Sequence, residues 1–374
     1  MRRFVLLIVL GAAALAPAGE PGWRQAAPGY PWSFPRDHHA HPDYKTEWWY
    51  VTGHLAVLAE PDAEPLAFQQ TFFRIGLAAD APADSASRWA ARDLVMGHAA
   101  VGDPARGRHV FSEVLWRAVP LLGGFGAPGD PVLAWAQAPA GTPGRWSLAL
   151  EDGGFRLTAR DDRRGLRYDL LAVPTRPLVL HGEGGFSPKT ADGTAGSLYF
   201  SATRLEVTGT VWQQGAPLAV GGQAWLDREI FTSTLAADQT GWDWLSLQLD
   251  DGRDLMLYRL RGPDGRAAFA LGTLVTADGT ARTLPGDAWS WEPGRTWTSD
   301  RTGSTYPVSW RLQVPAADLD LRLEATLDAQ ENVSGRTGVH YWEGAVRART
   351  PAGAAAGRGF IELTGYGEGS RPPV

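Results

Sequence analysis

The 374-residue chain contains no cysteine. That absence excludes a disulfide scaffold, an amino-terminal lipid-modified cysteine and any thiolate metal site. The apolar run Phe4–Ala16 falls short of the roughly 20 residues that a membrane-crossing helix needs. Basic clusters are missing, and a net charge of −6 argues against nucleic acid or anionic membrane as partners. No glycine-rich phosphate loop follows a strand and opens a helix, so no nucleotide cofactor is indicated. Ser112 and Ser201 lack the strand–turn–helix context of a hydrolase nucleophile.

Two basic residues, Arg2 and Arg3, precede the apolar run, and Ala16-Pro17-Ala18 ends it with a small-x-small site. This order predicts a secretory signal over residues 1–18, cut after Ala18, and a periplasmic or secreted protein with no stable membrane insertion afterwards. The chain is rich in tryptophan (17), glycine (45) and proline (27). Many aromatics among many turn formers predict short strands joined by tight turns, an all-β protein.

After an extended lead-in over residues 19–46, strands are expected from Glu47 onward. Asp-Gly-Gly and Asp-Arg-Arg-Gly mark hairpins between residues 146 and 173. Residues 118–131 read as a loop or lid, and His181–Gly196 as a polar, glycine-rich segment. The two halves resemble each other. Trp48–Leu55 matches Trp242–Leu249, and Gly222-Gln-Ala-Trp-Leu-Asp matches Gly359-Phe-Ile-Glu-Leu-Thr. A repeat this long means duplicated domains, here 47–236 and 237–374. A meander that hides both edges closes into a barrel, so the expected fold is two tandem lipocalin-like antiparallel β-barrels with room for a lipophilic ligand.

Asp37–Leu55 concentrates histidines, charged groups and aromatics ahead of a strand, and Gly53 predicts a bulge or bend within it. Glu47, Trp48, Trp49 and Tyr50 are candidates for the mouth of the first barrel. Gln239, Trp242, Asp243, Trp244 and Tyr258 form the analogous set in the second half, and either set also suits core packing or a barrel–barrel interface. Asp227 and Glu229 are two apart on a strand and share a face, with Arg228 turned away. Close carboxyls cannot both ionise cheaply, which makes them candidate acids; an ion-pair network of Asp227, Arg228, Glu229, Arg74 and Arg204 is the structural alternative. His38, His39 and His41 with Asp37 and Asp43 are metal-ligand types, but on an irregular segment without ligand spacing, so no metal site is assigned.

Glu47-Trp-Trp-Tyr50, Thr71-Phe-Phe-Arg74, Ser197-Leu-Tyr-Phe-Ser201 with Arg204, Trp225-Leu-Asp-Arg-Glu229, Gly241-Trp-Asp-Trp244, Met256-x-Tyr258 and Tyr341-Trp-Glu-Gly344 occur in this order. The pattern resembles the AttH and carotenoid 1,2-hydratase (CrtC) family of tandem lipocalin-like proteins. The resemblance implies two barrels, a lipophilic ligand and, in the hydratase branch, cofactor-free addition of water to a carbon–carbon double bond. It also places Arg74, Tyr199, Arg204, Trp225 and Arg228 among the candidate ligand contacts. Where that branch has roughly His-Asp-His-Asn-Trp, this chain reads Leu226-Asp227-Arg228-Glu229-Ile230, so only the Asp is kept. The match is closer to the AttH-type branch, which resembles exported partners of ABC export systems.

Three readings remain open: a cofactor-independent hydro-lyase or isomerase/cyclase acting on an isoprenoid or polyketide-like lipid, with Asp227 or Glu229 as acid; a non-catalytic carrier or accessory protein of an ABC exporter; and, more distantly, a carbohydrate-active protein. The signal reading is directly checkable. Amino-terminal sequencing of the exported protein should begin at Gly19; a sequence that retains Phe4–Ala16 overturns cleavage.

Overall fold

The computed structural model describes residues 22–79, 87, 89–233 and 235–372. The expected signal segment lies outside them. The described residues contain strands and three short 3-10 turns.

The first sheet is built from β1 (Thr46–Val57), β2 (Leu66–Gly76), β3 (Asp93–Asp103), β4 (Arg108–Arg117), β5 (Gly123–Phe125), β6 (Val132–Gln137), β7 (Arg145–Glu151), β8 (Gly154–Asp161), β9 (Leu166–Pro174), β10 (Val179–Leu180), β11 (Phe186–Pro188), β12 (Gly196–Gln213) and β13 (Ala216–Phe231). Its order is β4-β3-β2-β1-β13-β12-β9-β8-β7-β6-β5, with β10 and β11 also on β12. The sheet curls until its ends meet: Trp116 on β4 donates its indole N–H to the Gln137 carbonyl on β6 at 2.9 Å. The segment expected as a loop over 118–131 thus contributes the short closing strand β5.

The second sheet comprises β14 (Gly241–Leu249), β15 (Asp254–Arg261), β16 (Ala267–Val275), β17 (Ala281–Pro285), β18 (Ser290–Pro293), β21 (Ser309–Val314), β22 (Leu319–Ala325), β23 (Glu331–Val333), β24 (His340–Arg349) and β25 (Ala355–Thr364), with β19 (Thr296–Thr298) and β20 (Thr305–Pro307) as a separate ribbon. Its order, β17-β16-β15-β14-β25-β24-β22-β21-β18, repeats the logic of the first sheet. In each, the first strand of the half pairs with both the second and the last. Arg259 on β15 donates to the Trp291 carbonyl on β18 at 2.8 Å and closes the curl. All the pairings are antiparallel, and the molecule is two barrel-like sheets.

Alternation sorts the side chains. From β1, Trp49, Val51 and Leu55 enter the core of the first barrel with Phe68, Phe72 and Trp146. From β14, Leu245, Leu247 and Leu249 enter the second, with Trp310 and Trp342. Both interiors thus hold packed cores, and a pocket of about 220 Å³ opens at one end of the first, among Val57, Val101, Val110, Leu166 and Trp212. The intervening residues Trp48, Tyr50, Trp242 and Trp244 face outward into a third cluster between the barrels. Gly53 makes no bulge: it stays in register with Phe68 and Ala224, and a Cβ there would meet the Phe68 ring at 2.5 Å.

The lead-in closes one end of the first barrel around Glu47, a fully buried carboxylate. Arg74 and Arg228 both ion-pair with it, and the His41 backbone N–H donates to it at 2.8 Å. Arg228 also donates to the His39 carbonyl at 2.7 Å and lies 3.9 Å over the Trp49 ring. Burial alone would raise the Glu47 pKa, but the two guanidiniums hold it well below its ordinary value. Asp243 occupies a comparable place in the second barrel, between Arg259 at 2.6 Å and Arg261 at 2.9 Å. Glu47→Gln removes the counter-charge from two buried guanidiniums and should cost about 3–5 kcal/mol in denaturant unfolding. A loss below about 1 kcal/mol would mean that the arginines find other partners.

Candidate functional site

The two sheets meet outer face to outer face. Trp48 stacks on Trp242 with ring centroids 6.3 Å apart, and Tyr50 meets Trp244 edge-on at 5.2 Å. Between them lies a chamber of about 70 Å³. A water site needs roughly 10–15 Å³, so the chamber holds a few waters or the end of a ligand, not a whole long chain. Trp48, Tyr50, Gln69, Thr71 and Phe73 wall it from β1 and β2; Tyr199, Asp227 and Glu229 from β12 and β13; Trp242, Trp244, Tyr258, Leu260, Tyr341 and Glu362 from the second barrel. Lys189 and Leu235 complete the lining.

Strand register puts a carboxyl at matching places in the two halves. Asp227 on β13 lies opposite Tyr50 on β1, and Glu362 on β25 lies opposite Trp244 on β14. The next strand brings Ser201 beside Asp227, and Glu343 beside Glu362. Burial pushes Asp227 up to about 7, against the hydrogen bonds of Ser201 and Trp225. Burial likewise raises Glu362 to about 7, although the Trp242 indole donates to it at 2.8 Å. Glu343 is raised well above its ordinary value by burial and by neighbouring Glu362; it accepts the Tyr50 hydroxyl at 2.5 Å. Its other oxygen is buried with no partner among the described residues.

Asp227 Oδ1 accepts from Ser201 Oγ and, at 2.7 Å, from Trp225 Nε1. Indole N–H can only donate, so Oδ1 is an acceptor, and the Tyr199 hydroxyl, itself accepting from Trp244 Nε1 at 3.0 Å, is a further partner of the carboxyl in the chamber wall. Glu229 is held differently: Lys189 Nζ lies 2.8 Å from its Oε1, and Ser197 donates to the same oxygen at 2.5 Å. Burial would depress Lys189, but Glu229 and Tyr258 keep it raised; its ammonium also sits 4.0 Å over the Tyr258 ring. The chamber thus offers carboxyls whose neutral form burial favours, one ion pair and a wall of aromatic faces.

Of the residues anticipated from the sequence, the structure gathers Trp48, Tyr50, Tyr199, Asp227, Glu229, Trp242, Trp244 and Tyr258 here. Trp225 supports Asp227 from behind. Glu47, Arg74 and Arg228 form the buried network under the lead-in, Trp49 is in the first core, and Asp243 is locked between arginines in the second barrel. Arg204 joins the barrels through Asp254 at 2.7 Å, and Gln239 braces the connecting segment by donating to the Lys189 carbonyl at 3.2 Å. The expected network of Asp227 and Glu229 with Arg74, Arg204 and Arg228 does not form, because neighbours on a strand point to opposite faces. His39 contacts carbonyls of Pro35, Arg36 and Asp130, and His41 the carboxylates of Asp37 and Glu47, so the histidines do not converge. Sequence reasoning missed Lys189, Glu343 and Glu362 as site residues. The last two lie in segments recognised as repeat or motif, but only the cross-strand register reveals them.

Two lipocalin-like barrels sharing an acid-lined chamber define a tandem lipocalin-like protein. The chain belongs to the AttH-like family, whose model matches residues 25–366. It is similar to the crystal structure of a protein assigned as an AttH from Nitrosomonas europaea, at 36% identity and TM-score 0.79, covering 92% of this chain and 99% of that one. Kievitone hydratase from Nectria haematococca shares the fold at 14% identity and TM-score 0.63, covering 93% and 97%. CghA with Sch210972 does so at 12% and 0.51, covering 85% and 88%. Comparison with curated proteins finds no match by sequence.

The Asp227 proton has a thermodynamic signature. Its ordinary value is 3.8 and its folded value about 7, so between these pH values the folded protein holds a proton that the unfolded chain has released. This contribution to stability is complete below pH 3.8, declines as pH rises through the window, and is gone above about 7. Asp227→Asn lacks the titration. Its stability relative to the parent should climb by up to about 1.4 kcal/mol per pH unit across the window and then level off, as read from melting curves between pH 4.5 and 8.5. A flat difference would show Asp227 to be ionised in the folded protein throughout.

Proposed function

We propose that this is an exported protein that takes the unsaturated end of a lipophilic, isoprenoid or polyketide-like molecule into the chamber and adds water to it or removes water from it without a cofactor. The observation that carries the reading is Asp227: a buried carboxyl raised to about 7 that lines the chamber among aromatic rings. Protonating an isolated alkene needs a dry acid of this kind. In the forward direction the Asp227 proton adds to one alkene carbon, and Trp48, Trp242 and Tyr50 face the cation that develops on its neighbour. Water then bonds to that carbon and gives up a proton to the Asp227 carboxylate, which restores the acid. Dehydration runs the same steps backwards. The hydratase among the neighbours shares only the fold, and it supports the reading to that extent.

Asn is nearly isosteric with a neutral carboxylic acid, so Asp227→Asn should fold and keep its ligand. The test begins with native mass spectrometry of the purified protein to identify a co-purifying lipid. That lipid is then incubated in 18O-labelled water with parent and variant. Label should enter the product, or unlabelled water be lost, at least about 10²-fold more slowly with Asp227→Asn. A lipid held equally by both proteins and left unchanged would make the protein a carrier, as for an ABC export system. A bound oligosaccharide would overturn both readings.

A further inference from the structure

A buried chain of hydrogen bonds runs from Asp227 across the seam into the second barrel. Ser201 Oγ contacts Asp227 Oδ1 on one side and His181 Nε2, at 2.7 Å, on the other. His181 Nδ1 lies 2.8 Å from Thr273 Oγ1 on β16, and Thr273 Oγ1 has no other hydrogen-bond partner among the described residues. His181, Ser201, Thr273 and Asp227 are all buried. We propose that His181, fixed as its Nε2–H tautomer by Thr273 of the second barrel, is a positioning residue that keeps the Asp227 proton on Oδ2, away from the oxygen that Ser201 and Trp225 hold. This rests on the reading of Asp227 as the acid.

The argument is a count of protons. Burial and the Lys189 charge push His181 down to about 3, so at neutral pH the ring is uncharged and carries a single N–H. If that proton is on Nε2, it is donated to Ser201 Oγ, the Ser201 hydroxyl has only Asp227 Oδ1 left to donate to, and Nδ1 accepts from Thr273. Oδ1 then receives two hydrogen bonds, from Ser201 and Trp225, and the carboxyl proton belongs on Oδ2. If the proton is on Nδ1, Ser201 must donate to Nε2. Its contact with Oδ1 is then satisfied only by a proton on Oδ1, donated to Ser201. The tautomer of one imidazole thus decides which oxygen of the acid carries the proton. The other titratable groups around Asp227 are Glu229 on its own strand, Tyr199 on β12, Tyr50 on β1, Glu343 and Glu362 on β24 and β25, and Lys189. Neither Ser201 nor His181 hydrogen-bonds any of them.

The test needs no substrate, so it stands or falls separately from the hydratase reading. 15N NMR of histidine-labelled protein at pH 7.5 should show His181 with a protonated Nε2 and a bare Nδ1. Thr273→Val keeps the shape but removes the donor to Nδ1. The two tautomers should then mix, and the Asp227 titration, followed by its carboxylic C=O infrared band against Asp227→Asn, should move upward by as much as about one pH unit as Ser201 is drawn away. Ser201→Ala should produce a shift of the same sign, and Thr273→Ser should restore the parent pattern. A parent His181 protonated on Nδ1 overturns the proposal whether or not the variants fold. So does an Asp227 titration unmoved in Thr273→Val and Ser201→Ala.

Discussion

The stacking of Trp48 on Trp242, with Tyr50 edge-on to Trp244, sets the gap between the barrels, and the chemistry of the chamber depends on that gap. Each barrel packs its own core, and the acid-lined hollow lies outside both cores. What remains is the outer face of the strands that carry the duplicated Trp-x-Trp or Trp-x-Tyr pattern. Docking these faces withdraws carboxyls from water that would otherwise ionise at ordinary pH. The indoles act as spacers that leave a hollow and as the medium that makes ionisation costly.

The molecule buries acids in two contrasting ways. Glu47 and Asp243 each lie between two guanidiniums and are held as anions. Asp227, Glu343 and Glu362 have hydroxyl and indole donors but no arginine, and burial favours their neutral form. All are carboxyls on strands near tryptophan. The difference is which face of the sheet they occupy: inward toward the arginines, or outward toward the seam.

The sequence made the class and the pairing of acids with aromatics legible, because a period of two assigns faces without coordinates. It placed Asp227 and Glu229 together and set Arg228 apart, and the structure has the same arrangement. The location of the hollow was not legible. Trp49 and Trp48 are adjacent and chemically identical, yet one is core and the other wall. The internal repeat shows the limit most clearly. Matching Gly222 with Gly359 sets Trp225 against Glu362, whereas the strand register sets Asp227 against it. A slip of two residues keeps every side chain on its face, so pattern alone cannot detect it. Lys189 and His181 come from the glycine-rich connection after β9, where no periodicity exists to assign a face.

The two walls of the chamber are alike in layout and unlike in charge. One carries the Lys189 ammonium, with a carboxylate bound to it and a hydroxyl-braced acid; the other carries Glu362, with Glu343 beside it on the next strand. A guest lying across the seam therefore meets different surroundings at its two ends, and reversing it is not equivalent. The repeated sheet order supplies two facing walls, and the difference between them gives the cavity a direction.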